Sequence, residues 1–193
     1  LLPPTAPWRR LPSHTAADRL LGGLDLAATL QTSRPVAQRG LLAESDGGVL
    51  LAPMAERMDA ATAARLAAAL DSGEVGFQRH GIGQRWPARL AVIAFDEGQD
   101  DDPALPPALV DRLAFVCDLS AVSMRGLGKP DFDARAVHAA RERLAGVMLP
   151  EAMATALCAA ALGLGVASLR ASLLACRAAR VAAALHGRSE VIE

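Results

Sequence analysis

Four apolar residues, Val49-Leu50-Leu51-Ala52, stand between the glycine pair Gly47-Gly48 and Pro53. A run this short, closed at both ends by turn residues, predicts a strand covered on both faces of a sheet. A doubly covered strand commits the chain to a layered α/β architecture, with helices on either side of the sheet. It also locates the first place to look for chemistry, because open α/β sheets take their ligands beyond the carboxyl ends of the strands. Pro53 and Met54 occupy that end, and neither can hold a metal ion or polarise water.

The other segments arrange themselves around this strand. Residues 1–23 carry Pro and Arg with little periodicity and read as an extended or looped lead-in. Leu24–Leu30 is a short helix candidate broken at Arg34-Pro35, and Gly40–Glu44 offers one more helical turn. Residues 59–72 predict a helix capped by Asp59, with Leu66 and Leu70 on one face and Ser72-Gly73 as its stop. Glu74–Trp86 alternates as a hairpin turning at His80-Gly81, and Leu90–Phe95 predicts a second fully buried strand. An acidic loop, 96–102, leads to a helix that opens on Pro106-Pro107 and reaches Arg112. Leu113–Leu119 is a third apolar run, expected as a strand. Beyond Asp131 the pattern is helical throughout, over 131–146, 150–163 and 168–186, with Pro150 at one helix start and Ser168 as a cap. The expected division is an α/β core over 1–125 and an all-helical domain over 126–193.

Composition narrows the function classes. The net charge of -1 gives no broad electrostatic footprint for nucleic acid or an anionic membrane. No apolar run approaches the roughly 20 residues of a membrane span, and Leu1-Leu2-Pro3-Pro4 lacks the basic start of a signal peptide. Cys117, Cys158 and Cys176 are odd in number and lack C-x-x-C spacing, so reduced thiols in a cytoplasmic protein are expected. The chain begins without Met and stops at Glu193 within a pattern, which reads as a segment of a longer protein. The four His are scattered and suggest no metal site, and no G-x-S-x-G elbow occurs. Lys129 is the only Lys, and Pro130 follows it where a phosphate-binding loop needs a hydroxyl.

Two arginines stand out by position. Arg112 ends the helix that follows the acidic loop, where an Arg could reach a neighbouring subunit's phosphates or pair with Asp111 or the loop itself. Arg170 falls in the first turn of the last helix, where it opposes the helix dipole. An anionic partner and a solvated helix face both remain open for it.

In combination, Asp18-Arg19-Leu20-Leu21-Gly22-Gly23-Leu24-Asp25-Leu26, Arg39-Gly40-Leu41-Leu42-Ala43-Glu44, the Gly48–Met54 strand, Pro87-Ala88-Arg89-Leu90 and Leu109-Val110-Asp111-Arg112 resemble the AAA+ modules of the magnesium chelatase family. The resemblance implies a P-loop-type parallel sheet with an inserted hairpin, followed by a helical lid. It implies the degenerate D type of subunit and not the ATP-hydrolysing I type. The Walker B acids of the I type fall at Pro53 and Met54, and its sensor 1 Asn falls in the Phe95-Asp96-Glu97 region. Arg112 matches the arginine finger and Arg170 the sensor 2 arginine. The implied role is a non-hydrolysing ring platform, hexameric by analogy. It would assemble with the I subunit, which binds ATP and Mg²⁺, and with the porphyrin-binding H subunit, for Mg²⁺ insertion into protoporphyrin IX. An active ATPase of the chelatase I or MoxR type, and a ring scaffold that never binds nucleotide, are the competing expectations.

Overall fold

A computed structural model describes residues 2–192 apart from Pro4, His80, Gly81, Asp100, Asp101, Met124, Gly126 and Leu127. Two compact units are present, Leu2–Arg112 and the residues from Leu113 onward.

The first unit is built on a three-stranded parallel sheet ordered β1 (Trp8–Arg10), β4 (Val49–Ala52) and β7 (Ala91–Ala94). β4 lies in the middle, with Leu50 opposite Arg9 on one side and opposite Val92 on the other. Its position follows from its composition, since Val49, Leu50 and Ala52 are buried. Gly48 permits the strand to start where it does. A Cβ there would stand 2.0 Å from the Pro7 carbonyl oxygen, so the two backbones approach too closely for any other residue.

Between β1 and β4 the chain forms α1 (Ala17–Leu21), then an antiparallel ribbon of β2 (Gly22–Leu24) and β3 (Ala37–Arg39) that carries α2 (Leu26–Thr32), then α3 (Leu41–Glu44). After β4 comes α4 (Ala60–Ser72), where the Thr62 amide donates to the Asp59 carboxylate at 2.8 Å and Gly73 closes the helix at φ 68°. Leu66 and Leu42 are fully buried, and burial of each is worth about 1.5–3 kcal/mol. The hairpin is formed by β5 (Glu74–Arg79) and β6 (Ile82–Pro87), with Phe77 opposite Gln84. Its expected turn at His80-Gly81 lies outside the described residues. The acidic loop leads to α5 (Pro107–Val110), which buries Leu109. Of that loop's Asp run, Asp100 and Asp101 are also outside the described residues.

The second unit packs α6 (Ala134–Leu144), α7 (Glu151–Gly163) and α8 (Leu169–Leu185). Its core is small: Ala140, Val147, Ala183, Ala184 and Val191. Arginines join the helix ends. Arg143 donates to the Ala184 carbonyl at 2.7 Å, and Arg180 donates to the carbonyls of Val147 and Leu144 at 3.0 and 3.2 Å. Leu144 and Ala184 lie in the last turns of α6 and α8, where carbonyls lack helical partners, and Val147 lies just beyond α6. Two arginines of these helices thus bind backbone rather than standing only on a solvated face.

Three expectations need correction. The lead-in contains β1, a strand of the parallel sheet. Its three residues are exposed as an edge, so Trp8-Arg9-Arg10 shows no alternation to detect. The second strand is not fully buried: Ala91 and Ile93 share one face and are exposed, so that face is left uncovered at β7, the other edge of the sheet. No strand forms over the described residues of 113–119, where Phe115 is 72% and Val116 88% exposed. Apolar content alone suggested that strand, but a strand exists only when a neighbour takes its amides and carbonyls.

Candidate functional site: the carboxyl ends of β4 and β7

The strand ends are joined by backbone. The Phe95 amide donates to the Ala52 carbonyl, and the Ala55 amide returns a bond to the Phe95 carbonyl, both at 2.9 Å. Pro53 and Met54 therefore arch over Phe95. Met54 takes a left-handed conformation, φ 47° and ψ 48°, which a side chain of its size rarely adopts. A single 3₁₀ turn, Ala55–Arg57, follows.

That turn brings in a carboxylate that the sequence reading passed over. The Glu56 side chain is fully buried. Its Oε2 accepts the Glu97 amide at 3.2 Å, and its Oε1 lies 3.3 Å from Arg57 Nε without a hydrogen bond. Arg57 extends on to Asp102, 3.9 Å away. Asp96 turns back on its own loop and accepts the Gly98 amide at 3.1 Å. Pro53, Met54, Asp96 and Glu97 are thus brought together, with Glu56 inserted beneath them. Spacing alone carried no signal for Glu56, because an acid beyond a Pro-Met pair looks like any solvated turn residue.

This arrangement does not fit a hydrolytic Mg-nucleotide centre. The residues at the end of β4 carry no carboxylate, and the buried acid nearest to it is already engaged by an amide and a guanidinium. Among the described residues no group of three or more His, Cys, Asp or Glu could hold a metal ion.

Arg112 belongs to the same unit, two residues beyond the end of α5. Its guanidinium grips Asp71 on α4 through both edges: Nε donates to Oδ1 at 3.0 Å, and Nη2 donates to Oδ2. Nε also donates to the Ala67 carbonyl at 3.2 Å, and Nη1 to the Ala108 carbonyl at 2.7 Å. Asp111 is 3.9 Å away. The hydrogen bond to Asp71, more than any other contact, holds the guanidinium pKa above its ordinary value. Only 18% of the side chain is exposed. Arg170 lies in the other unit, half-buried in the first turn of α8, whose cap is Ser168. Lys129 is exposed.

No described helix is long and apolar enough to cross a membrane.

Comparison with known proteins matches residues 154–193 to the AAA lid domain. The magnesium-chelatase 60 kDa subunit of Cereibacter sphaeroides is 42% identical over 187 residues, 97% of this chain and 30% of that protein. The corresponding 60 kDa subunit of Rhodobacter capsulatus is 41% identical, over 95% of this chain and 30% of that protein. The magnesium-chelatase 38 kDa subunit of Acidiphilium rubrum is more distant, 28% identical over 95% of this chain and 59% of that protein. The chain thus spans about a third of the length of the larger relatives. With its parallel sheet, its three C-terminal helices and the lid match, it has the AAA+ α/β fold followed by a helical lid. The chain is a relative of the magnesium-chelatase 60 kDa subunits, homologous to them along almost its whole length.

Proposed function

We propose that this chain is the AAA+ module of a D-type magnesium chelatase subunit, with residues 1–125 as its core and 126–193 as its lid, and that it works in the cytoplasm as a ring platform without hydrolysing ATP. The observation that carries this reading is the end of β4, where Pro53 and Met54 replace acids and Glu56 is buried under them. Nucleotide chemistry then belongs to a partner I-type subunit. The platform couples it to Mg²⁺ insertion into protoporphyrin IX on the porphyrin-binding H subunit, with Mg²⁺ as the cargo.

Arg112 is the residue proposed to act on that partner, in trans, and Arg170 is the proposed lid arginine. A phosphate on a neighbouring subunit presents the same paired oxygens as Asp71 and would compete for the same guanidinium fork. Reconstituted chelatase distinguishes this role from a structural one. Arg112→Ala removes the guanidinium, whereas Asp71→Ala removes only its resting partner. A trans role requires at least about a tenfold loss of turnover in the first, in line with the large rate effects of arginine fingers, and retained turnover in the second. Equal losses in the two variants, or wild-type turnover in Arg112→Ala, would refute the role.

A further inference from the structure

We propose that a cavity at the carboxyl end of β1 binds a small phosphate-bearing anion of diphosphate to mononucleotide size. The cavity is a half-open surface cleft of about 330 Å³, lined by the exposed residues Arg10, His14 and Arg19 together with Pro12 and Leu41. Among the described residues no Asp or Glu lines it. Among the described residues, neither Arg10 nor Arg19 has an ion-pair or hydrogen-bond partner for its guanidinium. Two carboxylates, Asp18 and Glu44, line an adjoining cavity of about 230 Å³ that shares Arg19 with this one, and Glu44 pairs with Arg9 at 3.9 Å.

Both arginines stand on fixed backbone. Leu11 and Leu20, the residues immediately after Arg10 and Arg19, are fully buried. The Leu11 amide is also tied to the Leu51 carbonyl at 2.7 Å. The Thr15 hydroxyl donates to the Pro12 carbonyl at 2.8 Å and shapes the loop that carries His14. Two guanidiniums around one concavity repel each other unless an anion joins them. A phosphate offers each fork a pair of oxygens, and a diphosphate can serve both at once. The volume lies at the small end of ligand sites. This inference does not depend on the chelatase reading, since it concerns different residues and needs no partner subunit.

The test is calorimetric titration of the whole chain with inorganic pyrophosphate at low ionic strength. Saturable binding is expected, weakened at least tenfold by Arg10→Gln and by Arg19→Gln. Arg85→Gln, on the hairpin and paired with Glu74 at 3.7 Å, should bind as the native chain does. Arg19→Lys keeps the charge and loses the fork, so it should weaken binding several-fold even where Arg19→Gln folds poorly. Absence of saturable binding, unchanged affinity in the Arg10 and Arg19 variants, or binding of an Asp-rich peptide but not pyrophosphate would overturn the proposal.

Discussion

Arg112 and Asp71 form a two-pronged ion pair that ties the segment after α5 to the last turns of α4, with Nε donating at 3.0 Å to Oδ1 and Nη2 donating to Oδ2. The same guanidinium closes the carbonyls of Ala67 and Ala108, so one side chain satisfies acceptors on two helices. Lysine cannot reproduce the fork. Arg112→Lys is expected to destabilise the first unit by about 1–2 kcal/mol, a figure discounted because Asp71 is partly solvated. Chemical denaturation reads this directly, and an unchanged midpoint would contradict it. The guanidinium pKa is raised, so the pair's contribution is complete at every physiological pH and is lost only in strong alkali.

Gly48→Ala should damage the sheet at its start. The added methyl would meet the Pro7 carbonyl at 2.0 Å, and backbone cannot swing aside as a flexible side chain can. The expected cost is about 1–3 kcal/mol, seen as a drop of several degrees in melting temperature. Because the clash falls where β1 begins to pair with β4, faster exchange of the Leu11 amide, which bonds the Leu51 carbonyl, should accompany it.

In the second unit, Arg180→Ala should expose the weakness of a small core. It leaves the Val147 carbonyl without its side-chain donor, while the Leu144 carbonyl keeps the bond from the Val147 amide at 3.3 Å. A partly buried acceptor left unfilled costs about 1–3 kcal/mol. Loss of helical circular dichroism at a lower temperature than in the native chain, with no change for the exposed Arg135→Ala, is the expected pattern.

Asp59 makes the cap of α4 acid-labile. The Thr62 amide and hydroxyl both donate to its carboxylate, at 2.8 and 2.7 Å, and they lower its pKa below the ordinary 3.8. A folded pKa below the unfolded one means that the unfolded chain takes up the proton first. The contribution is therefore present above about pH 3.8 and is lost as pH falls through the lower folded value. Stability measured from pH 6 to pH 2 should fall less steeply in Asp59→Asn than in the native chain.

Purified chain should hydrolyse no ATP, because the residues at the end of β4 offer no carboxylate to polarise water. Turnover above background in a preparation free of other subunits would refute the degenerate-site reading. Met54→Glu alone should not create activity, since Glu56 and the left-handed turn at Met54 leave the end of the strand shaped for a different purpose.

Much of this was legible in the order of residues. The central strand, α4 with its Asp59 cap, the hairpin, the Pro-started α5 and the three C-terminal helices all follow from local signals, and local signals are what caps, turns and periodicity encode. The absence of acids at Pro53 and Met54 was equally plain. Other features were not: that Trp8–Arg10 is a strand, that α1 and the β2–β3 ribbon form, that 113–119 is not a strand, that Ile93 is exposed, and that Glu56 is buried. Each depends on a neighbour in space, either a strand that takes the backbone bonds or an element that covers the face, and no local window contains it.

The sequence by itself determined the layered class, the places of the longer helices and the absence of acids at Pro53 and Met54, because those depend on residue type and spacing. Tertiary structure decided where the charged groups went. It buried Glu56 beneath the strand ends, folded Arg112 onto Asp71 across 41 residues of chain, and turned Arg143 and Arg180 onto helix carbonyls. The physical reason is that a charged side chain settles on whatever acceptor or amide the completed backbone brings within about 3 Å. Only the folded chain sets those distances.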